Sequence, residues 1–400
     1  MNPEIISVIG SGESVELSRT HNEELVKLND HLIENIKLRL DDAKSVGDEI
    51  YVMDADWCRE NSEQAGKLHA DIIIEAYGPT YALPNKDPDA NTAAIEKGEL
   101  DLYLMKTNGV LTGTACMVDA GDGRAELGRA ASLGRARNTI IQDLRLVNWL
   151  NNDETADRFH TLFATLRSAP DRPVALDDGS EFTMRGGQAV TEHWKKFPGL
   201  RVYGIAPLYL KANKLEQFSY VAVARTVMRN EVELFIQDDD HKEFVTEWHH
   251  EYGLSLPRWR SKSDDSANES SEMAYEVHYP PQITGLTEYV HADIVKATEP
   301  KTPKTMETCV EEAVTVGSPF IQVEVPVESD TLPMQTDLIE NGFKLYGYKP
   351  PTDLEEASLL FGRLRTGVSV VPTAWDSQDV PNPIWDGKLG KISRTISRSW

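Results

Sequence analysis

The apolar positions of this chain change period several times along its length. From Asn22 to about Ala43, Leu25, Leu28, Leu32, Ile36 and Leu40 recur every three or four residues, which is one face of an α-helix, with Asn22 as its N-cap. A second helical stretch runs from about Asp54 to Ala76. The pattern then shortens to strands over Asp101–Lys106 and Val110–Val118, and the Asn108-Gly109 pair between them is a hairpin turn signal. Gly121-Asp122-Gly123 turns the chain into a further strand from Arg124 to about Ala131, followed by a Gly/Arg loop and a helix from about Asn138 to Asn151. Residues 4–9 read as a strand before Gly10-Ser11-Gly12, but the third glycine of a dinucleotide loop is missing and no helix opens after it.

The strongest long-range signal is an internal match. Residues 199–207 read GLRVYGIAP and residues 342–350 read GFKLYGYKP, an ungapped pattern at an offset of 143 residues. Each is preceded by a predicted strand and helix: Thr161–Leu166 then Gly187–Phe197, and Phe320–Val325 then Leu332–Asn341. Each is followed by another strand, Phe218–Val227 and Ala357–Arg363. This order predicts a duplication. The expected division is 1–50 (a strand and helix), 51–227 and 228–370 (two related domains), and 371–400 (a tail). Ser261–Glu272 and Glu299–Thr308 read as loops. Leu389, Ile392, Ile396 and Trp400 place a helix at the end of the sequence, docked on the body.

Charge narrows the partners. Lys+Arg 41 against Asp+Glu 65 gives a net charge of −24. That balance excludes a chain built to coat nucleic acid or an anionic membrane, since both need clustered basic residues. It would draw a cationic acceptor instead. Three scattered cysteines, Cys58, Cys116 and Cys309, fit a reducing compartment. With no basic leader and no apolar run of about 18 residues, the expectation is a soluble cytoplasmic protein, a monomer or homodimer.

One segment reverses the charge. Residues 124–145 hold Arg124, Arg129, Arg135, Arg137 and Arg145 against Glu126 and Asp143, a local balance of +3. A strand running through Gly134 into basic residues and a helix N-terminus gathers backbone N–H donors, a helix dipole and guanidinium groups, which suits a diphosphate.

From these residues the chain resembles the GNAT superfamily of N-acyltransferases. The shared order is two helices, three antiparallel strands, a phosphate loop opening a long helix, a fifth strand, a helix, and a glycine turn into two last strands. The resemblance implies an α/β (α+β) fold of two GNAT-like domains, each a mixed, mostly antiparallel sheet flanked by helices. It also implies acetyl-CoA or another acyl-CoA as co-substrate, with no metal. The family's loop, Arg/Gln-x-x-Gly-x-Gly/Ala, aligns in two ways here. One places it on Ala131-Ser132-Leu133-Gly134-Arg135-Ala136; the other starts at Leu133 and puts Asn138 at the last glycine. Either way the resemblance implies a phosphate cradle from Leu133 to Thr139, with Arg129, Arg135 and Arg137 nearby. In the second half, AYEVHYPPQITGLTEYVHADIV (274–295) is expected at the loop position. Pro280 and Pro281 remove donors there, so a single acyl-CoA site is expected, in the first domain.

Acylating an amine needs a base for its proton and an acid for the leaving thiolate. Glu126 on the fourth strand is similar to the family's general-base glutamate. His193 occupies the helix position where many members carry an acidic tyrosine, and Tyr203 and Tyr209 lie near the closing turn. Tyr203 recurs as Tyr346, which points to packing for that pair. Asp238-Asp239-Asp240-His241 and His249-His250 match no metal-ligand spacing. The reading is an acyl-CoA-dependent transfer to a small-molecule amine or amino acid derivative. Its alternatives are a donor on an acyl carrier protein and a non-catalytic acyl-CoA-binding module.

Overall fold

The computed structural model describes residues 23–77, 86–121, 123–133, 139–168, 170, 172–175, 181–184, 197–211, 214–224, 232–260, 275–278, 291–296, 304–352, 356–371 and 373. Helix α1 (Glu23–Ser45) turns the predicted stripe inward, burying Leu25, Leu28, Leu32 and Ile36. After β1 (Ile50–Met53), the stretch expected as one helix divides into α2 (Ala55–Glu60) and α3 (Ser62–Tyr77). Asn61 makes the break: its backbone leaves helical geometry and its side-chain amide donates to the Trp57 carbonyl. Helix α4 (Pro88–Glu96), capped by Asp87, leads to β2 (Leu100–Thr107). Asn108 (φ 53°) and Gly109 (φ 80°) turn the chain into β3 (Val110–Gly121). Two successive positive φ angles are the type I′ geometry that an Asn-Gly pair favours.

Then come β4 (Arg124–Ser132), α5 (Thr139–Asn151), α6 (Asp153–Arg158) and β5 (Thr161–Arg167). A small hairpin, β6 (Arg172–Ala175) and β7 (Glu181–Met184), precedes β8 (Arg201–Lys211) and β9 (Lys214–Ala224). The remainder runs β10 (Glu233–Leu234), α7 (Asp239–Glu251), β11 (Arg258–Trp259), β12 (Tyr275–His278), β13 (His291–Lys296) and α8 (Met306–Val316). It continues as β14 (Phe320–Pro326), α9 (Leu332–Glu340), β15 (Lys344–Lys349), β16 (Ser358–Leu364) and β17 (Ser369–Val371). The predicted first strand, the Gly187–Phe197 helix apart from Phe197, the Ser261–Glu272 loop and the tail helix lie outside the described residues.

The result is a mixed α/β fold on one mostly antiparallel sheet flanked by helices. Its strand order is β1-β2-β3-β4-β5-β9-β8-β15-β16-β14-β13-β12, with β17 added beside β9. The order of helices and strands implied by the resemblance is present from α2 to β9 among the described residues; the loop at 134–138 and the helix before Phe197 lie outside them. Along the sheet, β3-β4-β5-β9-β8 is followed by its reverse in kind, β15-β16-β14-β13-β12, and the halves join where Gly347 of β15 faces Gly204 of β8. The pairings correspond residue by residue. Val202 faces Val221 and Gly204 faces Tyr220, with Tyr203 bulged between; Leu345 faces Phe361 and Gly347 faces Leu360, with Tyr346 bulged between. On the first half's sheet, Tyr103, Met105, Met117 and Leu127 belong to the core cluster that includes α1 and α5, while Leu102, Leu104 and Cys116 cluster with Cys58, Ala65 and Ile95 of α2–α4.

One expectation is corrected. As β4 pairs in parallel with β5 over Arg124–Glu126, β13 pairs in parallel with β14 over His291–Asp293. The stretch 274–295, expected to hold a loop, carries β12 and most of β13, and the next connection follows Lys296. There the sequence still carries Pro300 and Pro303. The helix that follows is closed by its own cap, with Thr305 Oγ1 accepting from the Thr308 amide, so the expected loop also ends before Thr308.

Candidate active site

Strands β4 and β5 part almost as soon as they meet. Their pairing covers Arg124↔Thr161, Ala125↔Leu162 and Glu126↔Phe163, and from Leu127 onward β4 has no strand on that side among the described residues. Local features hold this geometry. Gly123 (φ 68°) lies against His160, whose ring is 2.4 Å from where a Cβ would stand, and the His160 amide donates to the Gly123 carbonyl at 2.8 Å. A side chain at 123 would have to push the His160 ring aside while holding a positive φ. Further along, Arg129 and Ala130 together oppose Ala115, a β-bulge that bends β4 away. The Arg145 side chain, from α5, is fixed beside this bulge: it is 2% exposed and its Nη1 donates to the Cys116 carbonyl at 2.6 Å and to the Gly128 carbonyl at 3.4 Å. Burial lowers its pKa to about 10, so it remains a cation at neutral pH.

Glu126, the expected base, is half-buried at the last paired residue of β4, where the two strands separate. Ala131, Ser132 and Leu133 carry β4 to its end, and the Leu133 amide donates to the Thr112 carbonyl at 3.0 Å. Gly134, Arg135, Ala136, Arg137 and Asn138 lie outside the described residues, as does His193. Thr139 is the first residue of α5, and Arg129 sits within the bulge. Tyr203 is 4% exposed, its ring 6.1 Å from that of Tyr220 and 6.4 Å from that of Trp248. It is a core residue of the β8 bulge. Tyr209 lies on β8 opposite Glu216.

The sheet also assembles a polar row that the sequence did not suggest. Residues directly opposite in a sheet share a face, and one such row runs Thr165, Tyr220, Gly204, Gly347, Leu360 and Glu324. Phe163 stacks on Tyr220 at 5.3 Å, and Lys349 Nζ lies 5.8 Å above the same ring while pairing with Glu324. Against the desolvation that would raise it, the charges of Lys349 and Arg124 and a hydrogen bond from Ser358 hold the Glu324 carboxyl below its ordinary value. Glu126 faces Phe163, Phe163 stacks on Tyr220 and Lys349 lies over that ring, so side chains from both halves of the sheet gather around one hollow on this face. Solvent reaches into the hollow, since the Glu324 side chain is 44% exposed. Tyr220, pushed up by burial, stays a neutral phenol.

The remaining histidine and acidic clusters are structural. Asp238 caps α7 by accepting from the His241 amide at 3.0 Å. His249 is buried, with Nδ1 2.8 Å from the Ser255 carbonyl and Nε2 3.0 Å from the Tyr348 hydroxyl. Cys116 is a buried residue of β3.

No family model matches the sequence, and a comparison with curated proteins finds no match. Among solved structures the chain is similar to an aminoglycoside 6'-N-acetyltransferase from Enterococcus faecium, at 18% identity over 45% of this chain and 99% of that one (TM-score 0.30). It is similar to a ribosomal-protein-S18-alanine N-acetyltransferase from Escherichia coli, at 12% identity over 46% and 96% (TM-score 0.29). A third, an aminoglycoside 6'-N-acetyltransferase complexed with coenzyme A, matches at 18% identity over 41% and 92% (TM-score 0.28). At these TM-scores the likenesses carry no weight of their own; the strand pairing within the chain carries the functional reading.

Proposed function

We infer that this chain is a member of the GNAT superfamily, an acyl-CoA-dependent N-acyltransferase that moves a short acyl group directly to the amine of a small molecule or amino acid derivative. The observation that carries this reading is the parting of β4 from β5 immediately after Glu126. It frees one edge of β4, whose backbone N–H and C=O groups can then hydrogen-bond an extended, amide-containing arm. The same strand leads through the Arg135/Arg137 segment to the N-terminus of α5, where a diphosphate is stabilised by backbone donors and by the helix dipole. Both features fit an acyl-CoA, with Leu133 to Thr139 holding its phosphates.

When bound, the acyl-CoA supplies the acyl group as an activated thioester. Glu126 takes the proton that the acceptor's ammonium group must lose before its nitrogen attacks. The new C–N bond forms as the C–S bond breaks, the nitrogen gives up its second proton to solvent, and the departing thiolate takes a proton, for which His193 and Tyr209 are the proposed donors. The second half is read as a degenerate copy. The matching registers of β8/β9 and β15/β16 favour that reading, and Pro300, Pro303 and the self-capped α8 speak against a second phosphate cradle.

Calorimetry of the full chain with acetyl-CoA and CoA tests the reading. Micromolar binding is expected, reduced at least tenfold by Arg135→Glu combined with Arg137→Glu. No binding by the folded chain overturns a free-CoA donor and points to a carrier-bound one. Unchanged affinity in the double variant overturns the phosphate-loop assignment.

A further inference from the structure

This face of the sheet holds a guanidinium whose Nε has no hydrogen-bond partner among the described residues. Arg124, the first residue of β4, is half-buried. Among the described residues it makes no hydrogen bond and no ion pair, and its Nε is shielded from solvent without an acceptor. Leaving a buried donor unpaired is costly, and more so on a charged group. The nearby carboxylate of Glu324 is already committed to Lys349 and Ser358, and reaches Arg124 only through its longer-range field. Two residues along the same strand, and so on the same face, stands Glu126. The two Cα atoms are about 6.6 Å apart, twice the rise per residue of a strand. A guanidinium and a carboxylate at that separation match the two ends of a small amino acid, with the acid group toward Arg124 and the amine toward Glu126.

We propose that the acceptor is an amino carboxylate, whose acid group pairs with Arg124 in the hollow while its amine is presented to Glu126. Lys349, 13% exposed over the Tyr220 ring and paired with Glu324, borders the hollow from the other half of the sheet, so the acceptor site draws on both halves. The guanidinium of Arg124, left without a hydrogen-bond partner among the described residues while Lys349 and Glu324 pair with each other, thus selects an anion-bearing acceptor, against the pull of the −24 overall charge toward a cationic one. The proposal rests on the acyltransferase reading, since Glu126 has the amine's proton to take only if an acyl group is being transferred.

The test is CoA release from acetyl-CoA by the full chain, offered free α-amino acids and, in parallel, the same amino acids as carboxamides. Binding of both sets is measured by calorimetry in the presence of CoA. Carboxylates are expected to exceed carboxamides by roughly 10- to 100-fold in kcat/KM or affinity, the range for a charge-assisted hydrogen-bonded pair. Arg124→Gln should remove that preference by raising the acceptor KM, while CoA affinity stays unchanged and reports an intact fold. Arg124→Lys should restore part of the preference. Equal use of acids and amides, no binding of either set, or a preference that survives Arg124→Gln overturns the proposal while CoA binding persists. Absence of CoA binding by the unmodified chain overturns the free acyl-CoA reading on which the proposal rests, and points to a carrier-bound donor instead.

Discussion

Gly204 and Gly347 meet back to back at the join between the two halves of the sheet: a Cβ on Gly204 would stand 2.5 Å from the Tyr346 carbonyl oxygen, and one on Gly347 would stand 2.4 Å from that of Tyr203. The requirement is purely spatial, because neither glycine has a positive φ. The obstruction on each side is backbone, which cannot rotate away as a side chain would. Gly204→Ala and Gly347→Ala should each destabilise the chain by roughly 2–3 kcal/mol, the scale of overpacking in a well-packed site. The double variant should cost less than the sum, since the first methyl already forces the strands apart. Urea unfolding midpoints of the three variants check this.

Arg145 should be the most sensitive charged residue outside the acceptor hollow. Replacing it with Met leaves the Cys116 and Gly128 carbonyls without their guanidinium donor beside the β4 bulge. A loss of roughly 3 kcal/mol in stability is expected, in line with removing one partner from a buried charged hydrogen bond. If the bulge shapes the cleft, CoA affinity should fall more than the loss of folded protein explains. Calorimetry at a temperature where the variant is fully folded separates the two effects.

Local features of this chain were legible in its sequence because they depend on neighbouring residues. The stripe Leu25, Leu28, Leu32, Ile36 requires a helix packed on one side, and Asn108-Gly109 requires a tight hairpin. The repeated Tyr-Gly pair was legible too, and it marks the strands at which the halves join. The acceptor hollow was not. Lys349 and Glu324 lie on exposed-looking alternating strands, and they share a cluster with Tyr220 and Phe163 of the first half only because β15 pairs with β8 across the join, which no local pattern encodes. The misplaced second loop has a similar origin. Strands β12 and β13 are only four and six residues long, and Pro280-Pro281 drew the expected loop one element too early.

Asp143 should give stability an unusual pH slope. It is 4% exposed on α5, and burial, only partly offset by Arg39 and Arg145, pushes its carboxyl up to about 7. In the unfolded chain the same group titrates near 3.9. Between these values the folded state holds a proton that the unfolded state has lost, so this contribution is present at low pH and declines as pH rises toward 7. The Asp143→Asn variant should therefore lose roughly 2–3 kcal/mol less than the unmodified chain between pH 5 and pH 8. Urea unfolding at the two pH values measures the difference; equal slopes would mean that Asp143 is ionised in the folded protein.

Glu126→Gln tests the chemistry at the point where the strands part. The substitution preserves size and hydrogen-bonding capacity at the last paired residue of β4 but cannot accept a proton at neutral pH. With an acceptor in hand, kcat should fall by roughly 10²-fold, the lower end of general-base contributions, while the KM for acetyl-CoA stays within about twofold of the unmodified value, because the phosphate cradle is untouched. The pH profile discriminates further. In the unmodified enzyme kcat/KM should rise with an ionisation belonging to the base and level off; in the variant the residual rate should follow only the fraction of unprotonated acceptor amine, rising toward that amine's own pKa. Full turnover with an unaltered profile in Glu126→Gln would remove this residue from the mechanism and leave water to receive the proton.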